Sequence, residues 1–139
     1  MKYFLFFTLS ILLAGCAKTP DEEAAPTLAN IKALYQSGKY QQALDSITSL
    51  RERYPQAIES RRQALVIWQD ASLKIAQNEV ANTDRQLQET LRQLGSATDR
   101  ARRNRLAFRR DSLQARYEAM CGVVRMIHMR QKAQDKTKP

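Results

Sequence analysis

Few side chains of this sequence could do chemistry, and none of them forms a set typical of an enzyme. His128 is the only histidine, so a base, an orienting group and a nucleophile cannot be assembled around a second imidazole. No glycine-rich phosphate loop is present, and the carboxylates are scattered rather than paired. We therefore predict no catalytic residue, no cofactor and no enzymatic activity.

A group of sulfur and imidazole side chains lies near the C-terminus, comprising Met120, Cys121, Met126, His128 and Met129. Such ligands suit a soft metal such as copper(I). Neighbouring residues of a helix point in different directions, however, and methionine commonly fills gaps in a core. We predict that no metal binds here, and that Cys121 either packs as a small hydrophobe or links two copies of the chain.

The other cysteine, Cys16, ends a segment with the organisation of a secretory signal. Lys2 stands at the front, an apolar run covers residues 3–13, and the small residues Ala14 and Gly15 follow. The apolar run is well short of the roughly 20 residues that a membrane-spanning helix needs. A charged start, a short apolar middle and small residues before a cleavage site indicate a secretory signal.

The sequence Leu13-Ala14-Gly15-Cys16 resembles the lipobox of bacterial lipoproteins. In that family the cysteine thiol receives a diacylglyceryl group and the leader is cut just before it. The resemblance implies that residues 1–15 are a signal peptide and that a lipid on Cys16 holds the protein to a membrane of the cell envelope. Ala17 implies the outer membrane, and the leaflet is left open. Two or three acyl chains, at about 0.8 kcal/mol per buried methylene, would anchor the chain firmly.

Positive charge is concentrated in residues 61–139, which have a formal net charge of +9. Its densest part is an arginine cluster: Arg100, Arg102, Arg103, Arg105, Arg109 and Arg110. For an exported lipoprotein we expect no nucleic-acid partner. Anionic lipid, lipopolysaccharide, wall polymer or an acidic protein face would suit this charge, and a purely solvated helical face is the alternative.

The elements that carry these residues are predicted to be helices. Residues 16–26 are interpreted as the lipidated cysteine and a polar tether. One helix is expected to begin near Thr27, a possible N-cap, and to end at Ser37-Gly38, with glycine in a left-handed C-cap. A second helix is expected from about Tyr40 to Tyr54-Pro55, where proline prevents its extension.

This helix pair, residues 27–55, resembles a tetratricopeptide repeat. The residues that carry the resemblance are Gly38, Tyr40, Ala43 and Pro55. The resemblance implies a possible peptide groove lined by Tyr35 and Tyr40. One such repeat cannot bury its own apolar face, so the pair is expected to pack on the rest of the chain.

Residues 56–132 are predicted to form a long antiparallel helical hairpin, with Pro55 at the first helical position and a turn over residues 95–98, capped by Ser96 or Thr98. Apolar residues recur every seven positions on both arms, which is typical of coiled-coil packing. The expected facing pairs are Leu87 with Leu106, Val80 with Leu113, Leu73 with Met120, and Val66 with Ile127. Residues 133–139 are predicted to be a disordered tail.

The sequence thus predicts an all-α protein, in which a repeat-like helix pair packs on the base of a coiled-coil-like hairpin after a cleaved signal peptide. This plan is similar to small tetratricopeptide-type lipoproteins of Bacteroidota. We expect an adaptor that binds an envelope protein through its helical surfaces. The alternative is electrostatic binding of anionic lipid, lipopolysaccharide or wall polymer by the arginine cluster. A long heptad hairpin could equally pair with a second copy.

Overall fold

The structure is a computed structural model that describes residues 18–136, except for the side chain of residue 135. This part of the chain contains four helices and no strand: α1 (Pro20–Gln36), α2 (Tyr40–Arg53), α3 (Ile58–Ser96) and α4 (Arg100–Lys136). The predicted all-α class is confirmed. The predicted signal peptide and Cys16 lie outside the described residues, as do residues 137–139 of the predicted tail.

Helix α1 begins seven residues earlier than predicted, because the segment interpreted as a tether is helical. Thr19 accepts a hydrogen bond from the Glu22 amide, and the Glu22 carboxylate accepts one from the Thr19 amide at 2.7 Å. This capping box, with Pro20 in the first turn, specifies a helix start. The predicted start at Thr27 is therefore wrong, and Pro26 lies inside the helix.

The turn between α1 and α2 matches the prediction. Gly38 has φ of 75°, a conformation that costs glycine little. Its amide donates to the Tyr35 carbonyl at 3.0 Å, and the Lys39 amide donates to the Leu34 carbonyl at 2.9 Å. These two bonds form a Schellman motif, which satisfies carbonyls at the end of α1.

Helix α3 begins at Ile58, three residues after the proline that was expected to open it. Residues 54–57 form a turn in which the Ala57 amide donates to the Tyr54 carbonyl at 3.1 Å. The first turn of α3 is capped from a distant part of the chain, because the Ser60 amide donates to Oδ1 of Asp21 at 2.7 Å. This bond fixes the start of α1 beside the start of α3.

Both N-terminal helices pack on α3, and no Cα atom of either helix lies within 8 Å of a Cα atom of α4. Leu28 and Ile31 of α1 and Ile47 and Leu50 of α2 form a core with Ala64 of α3. Tyr54 and Ile67 pack against this core from its edge. Ala64 is fully buried, and a residue this small allows α1 and α2 to approach α3 closely.

Helices α3 and α4 form the predicted antiparallel hairpin, with arms of 39 and 37 residues. At a rise of 1.5 Å per residue, each arm is about 55–58 Å long. Leu87, Leu106 and Leu113 are buried, as the heptad pattern predicts. Helix α4 continues to Lys136, so residues 133–136 are helical rather than part of a disordered tail.

The register of the hairpin differs from the prediction by about one helical turn. Gly95 and Ser96 belong to α3, and the loop is Ala97–Asp99, with Asp99 rather than Thr98 or Ser96 as the cap: its carboxylate accepts from the Arg102 amide at 2.7 Å. Glu79 and Arg116 form an ion pair across the hairpin, and they lie almost equally far from the middle of this loop. The residues that face each other across the hairpin therefore differ from the predicted pairs.

Two threonines of α3, Thr83 and Thr90, are buried, as are Leu106 and Leu113 of α4. The Thr90 hydroxyl donates to the Gln86 carbonyl at 2.8 Å, so its burial leaves no unmet hydrogen bond. Val66 is exposed, and the predicted Val66–Ile127 pair is wrong.

We predict that Asp21→Ala lowers the melting temperature at pH 7, whereas Glu23→Ala, in the same helical turn, changes it little. The Ser60 amide lowers the pKa of Asp21 below its ordinary 3.8, so this carboxylate stabilises the fold above that pH. Its contribution disappears as the pH falls through the lowered pKa. Thermal melts from pH 2 to 7, followed by circular dichroism, should therefore show the melting temperatures of the parent chain and Asp21→Ala converging at low pH. A difference that does not change with pH would contradict the cap.

We predict that Leu87→Ala destabilises the hairpin by about 2–3 kcal/mol, because it leaves a cavity in the seam. Leu91→Ala removes the same atoms from a side chain that is 42% exposed, against 7% for Leu87, and should cost less than about 1 kcal/mol. Urea unfolding of the two variants measures the difference. Equal effects would show that the seam does not bury Leu87.

Candidate functional site

The predicted tyrosine pair lies at the turn between α1 and α2. The Tyr35 and Tyr40 rings are tilted at 56° with centroids 5.7 Å apart, and both side chains are half-buried. Burial raises the pKa of Tyr35, and the nearby Asp70 carboxylate raises it further. The two rings therefore pack on each other, which aromatic pairs favour.

A shallow groove between α1 and α2 lies at the other end of the pair. It is lined by the residues Pro26, Thr27, Asn30, Asp45, Ser46, Ser49 and Arg53. This lining is mostly polar and includes neither tyrosine. The structure thus does not join Tyr35 and Tyr40 to this groove.

An apolar stripe is exposed on α3. Ile58, Leu65 and Trp68 recur at helical spacing and so share one face of the helix. Ile58 is 72% exposed and Trp68 is 36% exposed. Helices α1 and α2 cover the face that carries Ala64, and α4 covers the face that carries Leu87, so this stripe lies between the two covered faces.

The stripe continues into a groove between α3 and α4 near the base of the hairpin. We define the Trp68 groove by its lining: Trp68, Gln69, Ser72, Val123, Met126, Ile127 and Arg130. Its volume is about 230 Å³, below the roughly 300–1,000 Å³ of sites that enclose a small-molecule ligand. A groove of this size suits apolar side chains presented by a larger partner.

Cationic side chains border this apolar surface on both sides. Arg130 is part of the Trp68 groove on α4. A neighbouring concave surface is formed by Ile58 and Leu65 together with Arg51, Arg61 and Arg62. Arg62 is bound to Glu59 at 2.9 Å, whereas none of the acidic side chains that the structure describes pairs with Arg51 or Arg130. The base of the hairpin thus carries an exposed apolar surface that is bordered by arginine side chains.

The arginine cluster lies at the opposite end of the hairpin. Arg100, Arg102, Arg103, Arg105 and Arg109 are exposed, and no ion pair joins any of them to the described acidic residues. Arg110 differs, because it is half-buried and pairs with Asp111 at 2.7 Å. The structure therefore brings five of the six predicted residues together as a free cationic surface.

Phe108 lies within this cluster and is 76% exposed. It is not among the residues predicted from the sequence. Its position off the heptad seam, between arginines at 105 and 109, is the signal that could have found it. We refer to residues 100–110 as the arginine tip.

The side chains considered for a metal site are distributed over the faces of α4. Met126, His128 and Met129 are exposed, and Met120 and Cys121 are half-buried. Within the described part of the chain, no group of three or more His, Cys, Asp or Glu side chains could hold a metal ion. Cys121 is a free thiol, and its contact with Tyr117 raises the pKa of that tyrosine.

None of the helices in the described range combines the length and the apolar character needed to cross a membrane. No protein-family model matches the chain, and neither a curated protein nor a solved structure matches it.

Proposed function

We propose that this protein is an adaptor of the bacterial cell envelope, held to a membrane by a lipid on Cys16, that binds a partner protein in the Trp68 groove. The observation that carries the proposal is the exposed apolar surface formed by Ile58, Leu65, Trp68 and Met126. Contiguous apolar surface of this kind is typical of interaction sites, and tryptophan and arginine are enriched among residues that dominate binding energy.

The shape and charge of the groove favour an amphipathic helix with acidic flanks as its partner. An open, elongated groove between two helices accepts apolar side chains at helical spacing. Acidic residues beside them would meet Arg51, Arg61 and Arg130. A second copy of this chain is a poorer partner, because the net charge of +9 opposes self-association.

Few residues separate the proposed anchor from the end of the fold that carries this groove. Asp21 joins the start of α1 to the start of α3, so the chain enters the fold at the base of the hairpin. Four residues, 16–19, separate the proposed lipid from α1, and they can span at most about 14 Å. The partner is therefore expected to be an envelope protein that is met close to the membrane surface.

We predict that Trp68→Ala together with Met126→Ala abolishes crosslinking to the partner in intact cells. Truncating a central aromatic anchor typically costs about 2–4 kcal/mol of binding, a loss of 30-fold or more. Val66→Ala with Met129→Ala is the matched control, since both side chains are exposed but lie outside the groove. Mass spectrometry of the crosslinked products gives the readout, and an unchanged profile for the groove variant would contradict the adaptor.

We predict that Cys16→Ser releases the protein from membranes, because the thiol that would receive the lipid is absent. Fractionation of cells in low and high salt, followed by immunoblotting, measures the release. Cys121→Ser is the control and should stay in the membrane fraction. A Cys16→Ser protein that sediments with membranes in high salt would show that the anchor is wrongly assigned.

A further inference from the structure

The arginine tip combines charge with an exposed apolar ring. Phe108 is more exposed than any other large apolar side chain of the described residues. Its neighbours along α4, Arg105 and Arg109, are exposed cations without ion-pair partners in the described range. Guanidinium groups beside an aromatic ring are typical of surfaces that bind at a membrane interface.

The position of the arginines in α4 opposes helix stability. Four of them fall within residues 100–105, the first turns of the helix. The positive end of the helix dipole repels cations there and attracts anions. Asp99 is the only acidic residue near this helix start and already accepts the Arg102 amide. A bound anion would relieve both the mutual repulsion of the arginines and their repulsion from the dipole.

Several anionic surfaces would satisfy the arginines, but Phe108 discriminates between them. A sulfated or phosphorylated polysaccharide offers anions and hydroxyl groups. It has no apolar interior in which the phenyl ring of Phe108 could be buried. A phospholipid surface offers phosphates to the arginines and acyl chains to the ring. The combination therefore favours lipid over soluble polymer.

The tip is far from the end at which the chain enters the fold. Asp21 holds the start of α1 at the base of α3, and α3 is 39 residues long, about 58 Å at 1.5 Å per residue. A membrane that holds the base is thus separated by the length of the hairpin from a surface bound at the tip.

From these observations we infer that the arginine tip binds a second membrane surface rich in anionic phospholipid, with Phe108 inserted between the lipids. The protein would then connect two membranes, one at each end of the hairpin. The binding of lipid by the tip is independent of the Trp68 groove, whereas the connection of two membranes rests on the proposed lipid anchor at Cys16.

A vesicle-capture experiment tests it with the complete processed protein, purified from membranes with the proposed lipid on Cys16. The protein is incorporated into immobilised vesicles of neutral phosphatidylcholine, and the incorporated amount is measured. Fluorescent acceptor vesicles contain either phosphatidylcholine alone or equal parts of phosphatidylcholine and phosphatidylglycerol. We expect capture of the anionic acceptors only, and a strong decrease between about 0.05 and 0.3 M salt. Absence of capture with incorporated protein, or equal capture of neutral acceptors, would overturn the inference.

Two arginine variants separate the tip from overall charge. Arg102→Gln, Arg103→Gln and Arg105→Gln together should reduce capture about tenfold or more. The matched control replaces Arg53, Arg85 and Arg125, three exposed arginines outside the tip, with Gln and should retain capture. Equal loss in both variants would overturn the inference.

The stability of the tip variant provides a second readout. It should melt at the same temperature as the parent chain or higher, because cations are removed from the positive end of a helix. A lower melting temperature together with lost capture would assign these arginines a structural role and contradict the inference.

A substitution of the ring separates lipid from soluble polyanion. Phe108→Ser should reduce capture of anionic vesicles about tenfold, since the buried apolar area of the ring is lost. Its binding to dextran sulfate should match that of the parent chain. Undiminished vesicle capture by Phe108→Ser would show that the tip is an electrostatic site without lipid insertion.

Discussion

The packing of α3 between two separate groups of helices is the constraint on which the rest of the structure depends. Helices α1 and α2 bury one face of α3 around Ala64, and α4 buries another face around Leu87. Because the backbones of α1 and α2 do not pack against α4, the two groups do not close around α3. The uncovered stripe with Ile58 and Trp68 follows directly from this arrangement.

The second consequence is that the two ends of the molecule differ. The contact between Asp21 and the Ser60 amide places the start of the helical chain at the base, where the exposed apolar groove also lies. The opposite end carries unpaired arginines and Phe108. One end thus suits apolar contacts with a cationic border, and the other suits a densely anionic surface.

Several features of the chain oppose stability, and the described residues compensate only some of them. Pro26 removes a hydrogen bond from the interior of α1, which typically costs about 3 kcal/mol; the capping box and the contact of Asp21 with α3 hold this helix in place. In contrast, the arginines at the positive end of α4 and the exposed ring of Phe108 have no such support. Residues that break local rules in this way are commonly found at functional sites.

The sequence by itself determined the features that depend on neighbouring residues. Gly38 ends α1, Pro55 stops α2, and the seven-residue spacing identifies Leu87, Leu106 and Leu113 as seam positions. The Thr19–Glu22 capping box also depends only on neighbouring residues. The helix start that it specifies was missed because Pro26 follows it and proline usually breaks a helix. The arginine cluster could be predicted from the sequence, and the position of Phe108 off the heptad seam was a local signal of its exposure.

Only the tertiary structure decided the features that depend on distant residues. A heptad repeat allows several registers that differ by whole turns, and the length of the Ala97–Asp99 loop selects one of them. The run from Ala64 to Trp68 is apolar on all sides, so its pattern does not tell which side is covered. Asp21 lies in α1, but its carboxylate caps the start of α3. Such a hydrogen bond depends on position in space and not on separation along the chain.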